Sequence, residues 1–298
     1  MSEHIVPTEA RNPRTTHLDS LATNDLVLLL ADEASRAVRN VADATPSIAQ
    51  AVETIVAALA SGGRLHYVGA GTSGRLAVLD AAEIPPTFGA PAEMFCAHIA
   101  GGSAALRQAV EGAEDDGVAG EGEIRQCVRA GDVVLGISAS GGAAFVVSAL
   151  RAAKGLGAST VALCNVAASP LALAADTVIL LETGAEPIAG STRMLAGAAQ
   201  KVALATISTA VMIRLGHVYE NLMVSVVPTN AKLRQRARRL IEMLAFVDAE
   251  TAESLLAASG SVKTSVVMQR LSLDVQAAEE HLAKHRGNLR AALGASGT

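Results

Sequence analysis

Aromatic residues are scarce in this chain of 298 residues: they make up 2% of it, with no Trp, two Tyr and four Phe. Flat ring surfaces on which nucleic-acid bases stack are therefore nearly absent, and we expect no nucleic-acid partner. The basic run from Arg234 to Arg239 is accordingly interpreted as a solvated helix face. Hydrophobic residues nevertheless make up 50% of the chain, which predicts a globular protein of one large or two small domains whose core is built from Ala, Val, Leu and Ile.

Cysteine and long apolar runs are also rare. Cys96, Cys127 and Cys164 are odd in number and sit in or beside apolar runs, which predicts buried thiols rather than disulfides or a metal cluster. Among the histidines, His281 and His285 are spaced four apart, which we interpret as a helix surface, so neither a metal nor a cofactor is expected.

The first twelve residues contain no apolar stretch of signal-peptide length, and no run reaches the length of a membrane span. We therefore expect a cytoplasmic protein without a membrane partner.

The net charge of −5 restricts how the chain can bind an anion. A negative protein repels anionic ligands at long range, so a phosphate must be held by local N–H and hydroxyl donors.

Alternating apolar patterns predict the fold. Short runs rich in β-branched residues indicate strands at 64–69, 94–100, 132–138, 159–165 and 176–182. Helical patterns lie between several of them, at 73–82, 103–113 and 143–156. This alternation is typical of an α/β protein with a doubly wound, five-stranded parallel sheet. Ligands bind beyond the carboxyl ends of such strands, where the Gly- and Ser-rich turns at 69–74, 100–103 and 138–142 fall.

Helical patterns also flank this sheet. Apolar spacing from Asp25 to Ala60 indicates two helices separated near Pro46, and the Ala-rich stretch 191–215 indicates a long helix. Beyond it, four short helices are predicted at 233–246, 248–259, 261–271 and 273–293, the last with a break near Lys284. We therefore divide the chain into an N-terminal helical arm (1–54), a sheet domain (55–230) and a small C-terminal helical domain (231–298).

The turn Gly69-Ala-Gly-Thr-Ser-Gly74 is the clearest candidate ligand site. It joins a strand to a helix, so that Gly71, Thr72, Ser73 and Gly74 can present hydroxyl and helix N–H donors to a phosphate. Proline cannot continue a helix, so Pro85 and Pro86 predict that this helix ends near Glu83.

A dinucleotide site is the alternative interpretation of this Gly-x-Gly-x-x-Gly pattern. Such sites carry an acidic residue about 20 positions later, at the end of the next strand. Glu93 instead precedes the apolar run of that strand, and the Thr-Ser pair suits a single phosphate better than a pyrophosphate.

An ordered series of longer motifs carries a resemblance to a known family. The series consists of Thr8-Glu-Ala-Arg-Asn-Pro13, Gly69-Ala-Gly-Thr-Ser-Gly-Arg-Leu76, Glu83-Ile-Pro-Pro-Thr-Phe-Gly89, Ile99-Ala-Gly-Gly102, Val110-Glu-Gly-Ala-Glu-Asp-Asp116, Gly136-Ile-Ser-Ala-Ser-Gly141, Gly190-Ser-Thr-Arg193 and Asn221-Leu-Met-Val224. Together these motifs resemble the sugar-isomerase (SIS) domain and, within it, the N-acetylmuramic acid 6-phosphate etherases. A relative that binds fructose phosphates and regulates glucokinase shares several of the motifs without being an etherase.

The resemblance implies an activity and two functional carboxylates. Glu83 and Glu114 match the two functional glutamates of the etherases, which release D-lactate from N-acetylmuramate 6-phosphate by elimination and hydration. In this interpretation Glu83 is the acid and Glu114 the base. Glu83 must then keep its proton near neutral pH, which requires apolar burial or a nearby anion. Glu111, Asp115 and Asp116 lie close to Glu114 in the sequence, and any of them is an alternative inward-facing carboxylate.

The resemblance also implies substrate-binding residues and a partner. Ser138 and Ser140 resemble the second sugar-phosphate loop of SIS domains, with helix capping as the alternative, and Arg193 pairs either with the lactyl carboxylate or with a neighbouring acid. Gly142-Ala143 stands where the family usually has Arg-Thr, and His217 and Glu220 replace a usual Lys and Gly. A sugar-phosphate ligand, a homodimer with its site near the interface, and a ubiquitin-associated-like tail are expected.

Two other functions remain open at this stage. A sugar-phosphate sensor would use the same pocket without turnover. An aldose–ketose isomerase needs only one glutamate base and a phosphate loop, and would release no lactate.

Overall fold

The computed structural model describes residues 6–294, and the predicted five-stranded sheet is present. Its strands are β1 (Leu65–Gly69), β2 (Phe95–Ile99), β3 (Val133–Ser138), β4 (Ser159–Cys164) and β5 (Thr177–Leu180). They pair in parallel in the order β2-β1-β3-β4-β5. The chain leaves β1 first towards β2 and then returns to its other side for β3, which is the doubly wound topology predicted from the sequence.

Helices between the strands cover the sheet. They are α3 (Gly71–Phe88), α4 (Gly117–Cys127), α5 (Ala144–Gly155) and α6 (Pro170–Ala174). Every residue of β1 and β3 is buried, because a parallel sheet with helices on its faces leaves no strand face to water. Val134 of β3 packs in one apolar cluster with Ile124 of α4 and Leu150 of α5. The strands that carry the ligand turns are thus held rigidly.

Two compact units divide the chain. The first contains the residues up to Ala81 together with Glu93–Ser208, and so holds the sheet. Before β1 it also contains α1 (Thr23–Asp43) and α2 (Thr45–Ala60), with Pro46 in the first turn of α2 as predicted. The long helix α7 (Leu195–Arg214) is long and apolar enough to cross a membrane, but slightly more than half of it is buried, as in the core helix of a globular protein.

The second unit contains Ala82–Ala92 and the residues from Thr209 onward. Its helices are α8 (Ala231–Ala245), α9 (Ala249–Ser259), α10 (Val262–Leu271), α11 (Val275–Lys284) and α12 (Leu289–Ala292). Each begins after an Asn, Asp or Ser whose side chain accepts a backbone N–H of the first turn and so stabilises the start of the helix. The predicted break near Lys284 is where α11 ends.

Helix α3 does not end near Glu83, so that prediction is wrong. The helix continues through Pro85-Pro86 to Phe88. Proline removes an N–H and crowds the preceding turn, but burial of Ile84 and Phe88 stabilises the extra turn. The end is set instead by Gly89, whose φ of 62° and close approach to the Ser225 carbonyl leave no room for a side chain.

The predicted helix at 103–113 is also wrong. A short 3-10 helix spans Gly102–Leu106 and a second spans Ala113–Asp115, with turns between them. Only Ala105 is buried from 103 to 112, so an α-helix here would have no apolar face to pack. Glu111 and Glu114 therefore lie in an irregular loop rather than on adjacent faces of a helix.

The three cysteines are free thiols, as expected, but they are not all buried. Cys164 is buried at the end of β4, whereas Cys96 and Cys127 are only partly buried. The prediction of three buried thiols is therefore wrong for two of them: Cys96 lies on an edge strand and Cys127 ends α4, positions that the core covers on one side only.

Candidate active site

The predicted phosphate turn lies between β1 and α3, at the point where the strand order reverses. Its glycines are required by close contacts: a Cβ on Gly69 would lie 2.6 Å from the Gly74 nitrogen, and a Cβ on Gly74 would lie 2.6 Å from the Ile99 side chain. Gly71, at φ 53°, begins α3. The first N–H groups of α3 consequently lie at the carboxyl end of β1, the geometry that favours binding of an anion.

Ser73 has a structural role that the sequence did not indicate. Its buried hydroxyl donates a hydrogen bond of 2.8 Å to Gln200 Oε1 on α7, and Gln200 Nε2 donates one of 2.9 Å to Asn165 Oδ1 after β4. The hydroxyl proton of Ser73 is therefore engaged within the protein. Its backbone N–H is the donor that Ser73 could still offer to an anion, while Thr72 is half-buried at the turn. No local pattern marks Gln200 or Asn165, because their role arises from contact between distant elements.

A cavity of about 150 Å³ opens beside the phosphate turn. Its lining combines the turn, the first turn of α3 and the loop that follows β2, through Ala70, Gly71, Arg75, Ala100, Ala105, Ala109, Val110, Glu111, Gly112, Ala113 and Glu114. Among the described residues, Gly71 and Glu114 are the two predicted site residues that line this cavity, whereas Thr72, Ser73, Gly74, Glu83, Ser138, Ser140 and Arg193 do not.

Two of the four carboxylates that were open alternatives line this cavity, namely Glu111 and Glu114. Asp116 is the N-cap of α4 and accepts the Ala119 N–H at 2.9 Å, so its side chain is engaged there. Asp115 does not belong to the cavity lining. Glu111 and Glu114 are both solvent-exposed.

The second predicted loop follows β3. Ser138 is buried and its hydroxyl oxygen accepts the Gly141 N–H at 3.1 Å, while the exposed Ser140 accepts the Gly142 N–H at 3.2 Å. Both hydroxyls therefore cap the backbone and still have a proton to donate. Gly141 lies at φ 69°, and a Cβ there would lie 2.1 Å from the Ser169 hydroxyl.

Arg193 lies in the loop before α7 and is exposed. It is not part of the cavity lining. Glu186, which is fully buried, anchors the loop by accepting the N–H groups of Leu195 at 2.7 Å and Ala196 at 2.9 Å. Burial raises the pKa of Glu186, and these two hydrogen bonds oppose that shift. Sequence reasoning missed Glu186 because nothing local distinguishes it from a surface glutamate.

Glu83 lies on the last third of α3, within the second unit, and its side chain is exposed. Apolar burial within the described chain therefore does not supply the environment that a protonated glutamate needs. A nearby anion is the remaining source of such an environment.

A larger cavity of about 850 Å³ lies elsewhere in the first unit, beside α1. It is lined by Asn12, Arg14, Glu33, Arg36 and Glu182, among others, and by none of the predicted site residues. Size alone therefore does not identify the functional cavity.

Comparison with known proteins identifies the class to which this fold and turn belong. Residues 47–154 match the glucokinase regulatory protein N-terminal SIS domain, and residues 117–213 match the SIS domain. The structure of a phosphoheptose isomerase from Francisella tularensis is similar with a TM-score of 0.51 at 20% identity, over 65% of this chain and 100% of that chain. A phosphoheptose isomerase from Neisseria gonorrhoeae is similar with a TM-score of 0.50 at 22% identity, over 64% of this chain and 99% of that one. The chain is an SIS-domain protein.

More similar relatives narrow the class to one family. N-acetylmuramic acid 6-phosphate etherase of Deinococcus radiodurans is 49% identical over 96% of this chain and 95% of its own length. The proteins of the same name from Edwardsiella ictaluri and Pectobacterium atrosepticum are 47% and 45% identical over 96% of this chain, and over 96% and 95% of their own lengths. The chain belongs to the N-acetylmuramic acid 6-phosphate etherase family, which confirms the resemblance seen in its motifs.

Proposed function

We propose that this protein is a carbon–oxygen lyase that cleaves the lactyl ether of N-acetylmuramate 6-phosphate. The products are N-acetylglucosamine 6-phosphate and D-lactate. The observation that carries the proposal is the 45–49% identity to etherases along 96% of the chain. The cavity supports it in part, since Gly71 of the predicted phosphate turn lines the same space as Glu114, the proposed base.

Elimination followed by hydration is the route that two carboxylates can catalyse. With the sugar ring open, the C1 aldehyde makes the C2 proton acidic, and Glu114 removes it as the base. The C2 electrons form a C2–C3 double bond as the C3–oxygen bond breaks, and Glu83 protonates the ether oxygen of the departing lactate. Water then adds at C3 and a proton returns to C2. Neither a metal nor a cofactor is needed for these steps.

The substrate phosphate is assigned to the strand-to-helix turns. Gly71, Thr72 and Ser73 supply donors from the first turn, and Ser138 and Ser140 supply hydroxyls from the second. Gly74 donates its N–H to the Ala70 carbonyl at 3.2 Å, so it shapes the turn instead. The net charge of −5 makes such local donors necessary. Arg193 is retained as a substrate-binding candidate in the loop before α7.

A cytoplasmic homodimer completes the proposal. Glu83, Glu111, Glu114 and Arg193 are all exposed in the single chain, whereas enzyme sites generally exclude water during reaction. A second copy that covers part of the site would supply this exclusion. This argument supports the expectation of a dimer with its site near the interface.

Oxygen-18 water provides the direct test. Purified protein is incubated with N-acetylmuramate 6-phosphate, and lactate and sugar are followed by mass spectrometry. We expect unlabelled lactate and a sugar that carries the label at C3. Binding without lactate release would favour the sensor, and conversion of an aldose phosphate to a ketose phosphate without lactate would favour the isomerase.

A further inference from the structure

Arg75 is the one cation among the described residues that line the cavity beside the phosphate turn. It lies in the first turn of α3, directly after the phosphate turn, and its Nη2 donates a hydrogen bond of 3.1 Å to the Gln108 carbonyl. Gln108 belongs to the loop that carries Glu111 and Glu114. The guanidinium is therefore tied to the loop that positions the proposed base.

Arg75 forms no ion pair within the described part of the chain. Glu111 and Glu114 line the same cavity, yet neither forms an ion pair with Arg75. An arginine has five N–H donors, and the contact with Gln108 uses one of them. The remaining donors match the two oxygens of a carboxylate.

The proposed substrate brings two anions, and the turns account for only one. Its phosphate is on C6, whereas its lactyl carboxylate is attached through the ether oxygen on C3, next to the C2 proton that the base removes. When Glu114 reaches C2, this carboxylate therefore lies near Glu114. The lactyl carboxylate and the carboxylate of Glu114 then repel each other unless a cation lies between them.

We propose that Arg75 binds the lactyl carboxylate and thereby determines that the enzyme accepts an ether of a hydroxy acid. This inference rests on the proposed function and assigns the carboxylate subsite to the cavity beside Glu114. It places that subsite at Arg75 rather than at Arg193, which lies outside the cavity lining. Arg75 retains the carboxylate as the C3–oxygen bond breaks, so it also holds the leaving lactate.

A double-mutant-type cycle tests the contact between Arg75 and the lactyl carboxylate, because it changes the arginine and the carboxylate separately and together. The wild-type protein and Arg75→Met are each assayed with N-acetylmuramate 6-phosphate and with its neutral lactamide analogue. A charge-assisted contact predicts that the wild type prefers the acid over the amide in kcat/KM by about 10- to 100-fold. In Arg75→Met this preference should shrink to within about threefold, because the amide loses nothing when the cation is absent.

Two controls separate binding of the carboxylate from a general effect. Arg107→Met removes an exposed arginine of the same loop that does not line the cavity, and it should keep the preference for the acid. Exchange of the C2 proton of N-acetylglucosamine 6-phosphate in heavy water requires the base and the phosphate site but no carboxylate. The rate of this exchange should differ by less than about threefold between the wild type and Arg75→Met.

Three results would overturn the assignment to Arg75: no preference for the acid in the wild type, an undiminished preference in Arg75→Met, or an equal loss of C2 exchange and lactate release. If Arg75→Met does not fold, Arg75→Lys replaces it, and a preference lowered by about tenfold is expected because the second N–H of the fork is lost. Failure of the wild type to release any lactate would instead overturn the proposed function itself.

Discussion

Glu114 and Glu111 illustrate how much a single residue's position decides in this site. Both line the cavity, three residues apart in a loop without α-helical geometry. Glu114 is the one that the motif resemblance predicts to be functional, while Glu111 is its neighbour in the cavity lining. The two can be separated only by substituting each in turn.

We expect Glu83→Gln and Glu114→Gln each to lower kcat for lactate release by at least about 100-fold, because each removes a positioned acid or base. Steady-state kinetics with N-acetylmuramate 6-phosphate measures the loss. Glu111→Gln is the matched control and should retain most of the activity. If Glu111→Gln is inactive and Glu114→Gln retains activity, then Glu111 and not Glu114 is the base.

Helix α3 connects the two parts of the proposed chemistry at the scale of an element. Its first turn belongs to the predicted phosphate turn, and its last third carries Glu83, the proposed acid. The end of the helix is held within the second unit, where His217 Nδ1 donates a hydrogen bond of 2.8 Å to the Phe88 carbonyl. Burial lowers the pKa of His217, the hydrogen bond to Phe88 opposes this, and nearby Lys263 adds to the lowering. His217 is thus a neutral donor near pH 7.

We expect His217→Leu to lower the free energy of unfolding by about 1–2 kcal/mol and to lower kcat more than it raises KM. The reason is that the lost hydrogen bond fixes the helix end that carries Glu83. His281→Leu is the control, since His281 Nε2 makes the same kind of bond, 2.8 Å long, to the Ala292 carbonyl of α12. In urea unfolding, His281→Leu should lower the free energy of unfolding by a similar amount, but it should leave kcat unchanged. Equal kcat losses in both variants would leave His217 with a purely structural role.

Strands β1 and β2 carry a buried pair of histidines, His66 and His98. His66 Nδ1 lies 3.0 Å from His98 Nε2, and His98 Nδ1 lies 2.8 Å from Glu123 Oε1. Burial and the neighbouring His98 lower the pKa of His66 from 6.5 to about 4. Asp132, whose Oδ2 lies 3.3 Å from His66 Nε2, opposes this shift. Arg64 adds to it.

Because the pKa of His66 is lower in the folded than in the unfolded chain, the unfolded chain takes up a proton first as pH falls. We therefore expect stability to decrease between about pH 6.5 and pH 4, by up to about 3 kcal/mol from this residue. Urea unfolding at a series of pH values measures it. In His66→Gln, the free energy of unfolding should depend less steeply on pH over this range. The decrease in slope should correspond to the uptake of about one proton on unfolding. An unchanged slope would show that His66 takes up its proton equally in both states.

At the scale of the whole molecule, the sheet and the C-terminal helices belong to one stretch of chain that is similar to the etherases. The similarity to etherases covers 96% of the chain, and therefore both compact units. Residues 82–92, which include Glu83, belong to the same unit as the C-terminal helices. The proposed acid, Glu83, therefore belongs to the unit of the C-terminal helices and not to the unit that holds the sheet.

We expect the purified protein to sediment at about twice the mass of one chain, since the proposed site residues are exposed in the single chain. Dilution through the dissociation range of the dimer should then lower lactate release per chain in parallel with the dimer fraction. Analytical ultracentrifugation and activity are measured over the same concentrations. A fully active monomer would contradict an interface site.

The sequence by itself determined the strands, most helices, the tight strand-to-helix turn at 69–74 and the family. These features depend on local patterns: β-branched runs make the strands, Asn, Asp and Ser start the C-terminal helices, and glycines such as Gly69 and Gly74 permit the tight turn. The family followed from motifs distributed along the whole chain.

Only the tertiary structure decided which polar groups meet. Ser73 binds Gln200, which lies 127 positions away in the chain, and Arg75 reaches the loop of Glu114. Local patterns also failed where packing outweighs them: burial of Ile84 and Phe88 carries α3 through two prolines, and the loop from 103 to 112 has no apolar face to make it a helix. Contacts between residues distant in sequence depend on the relative placement of whole elements, and no local pattern records that placement.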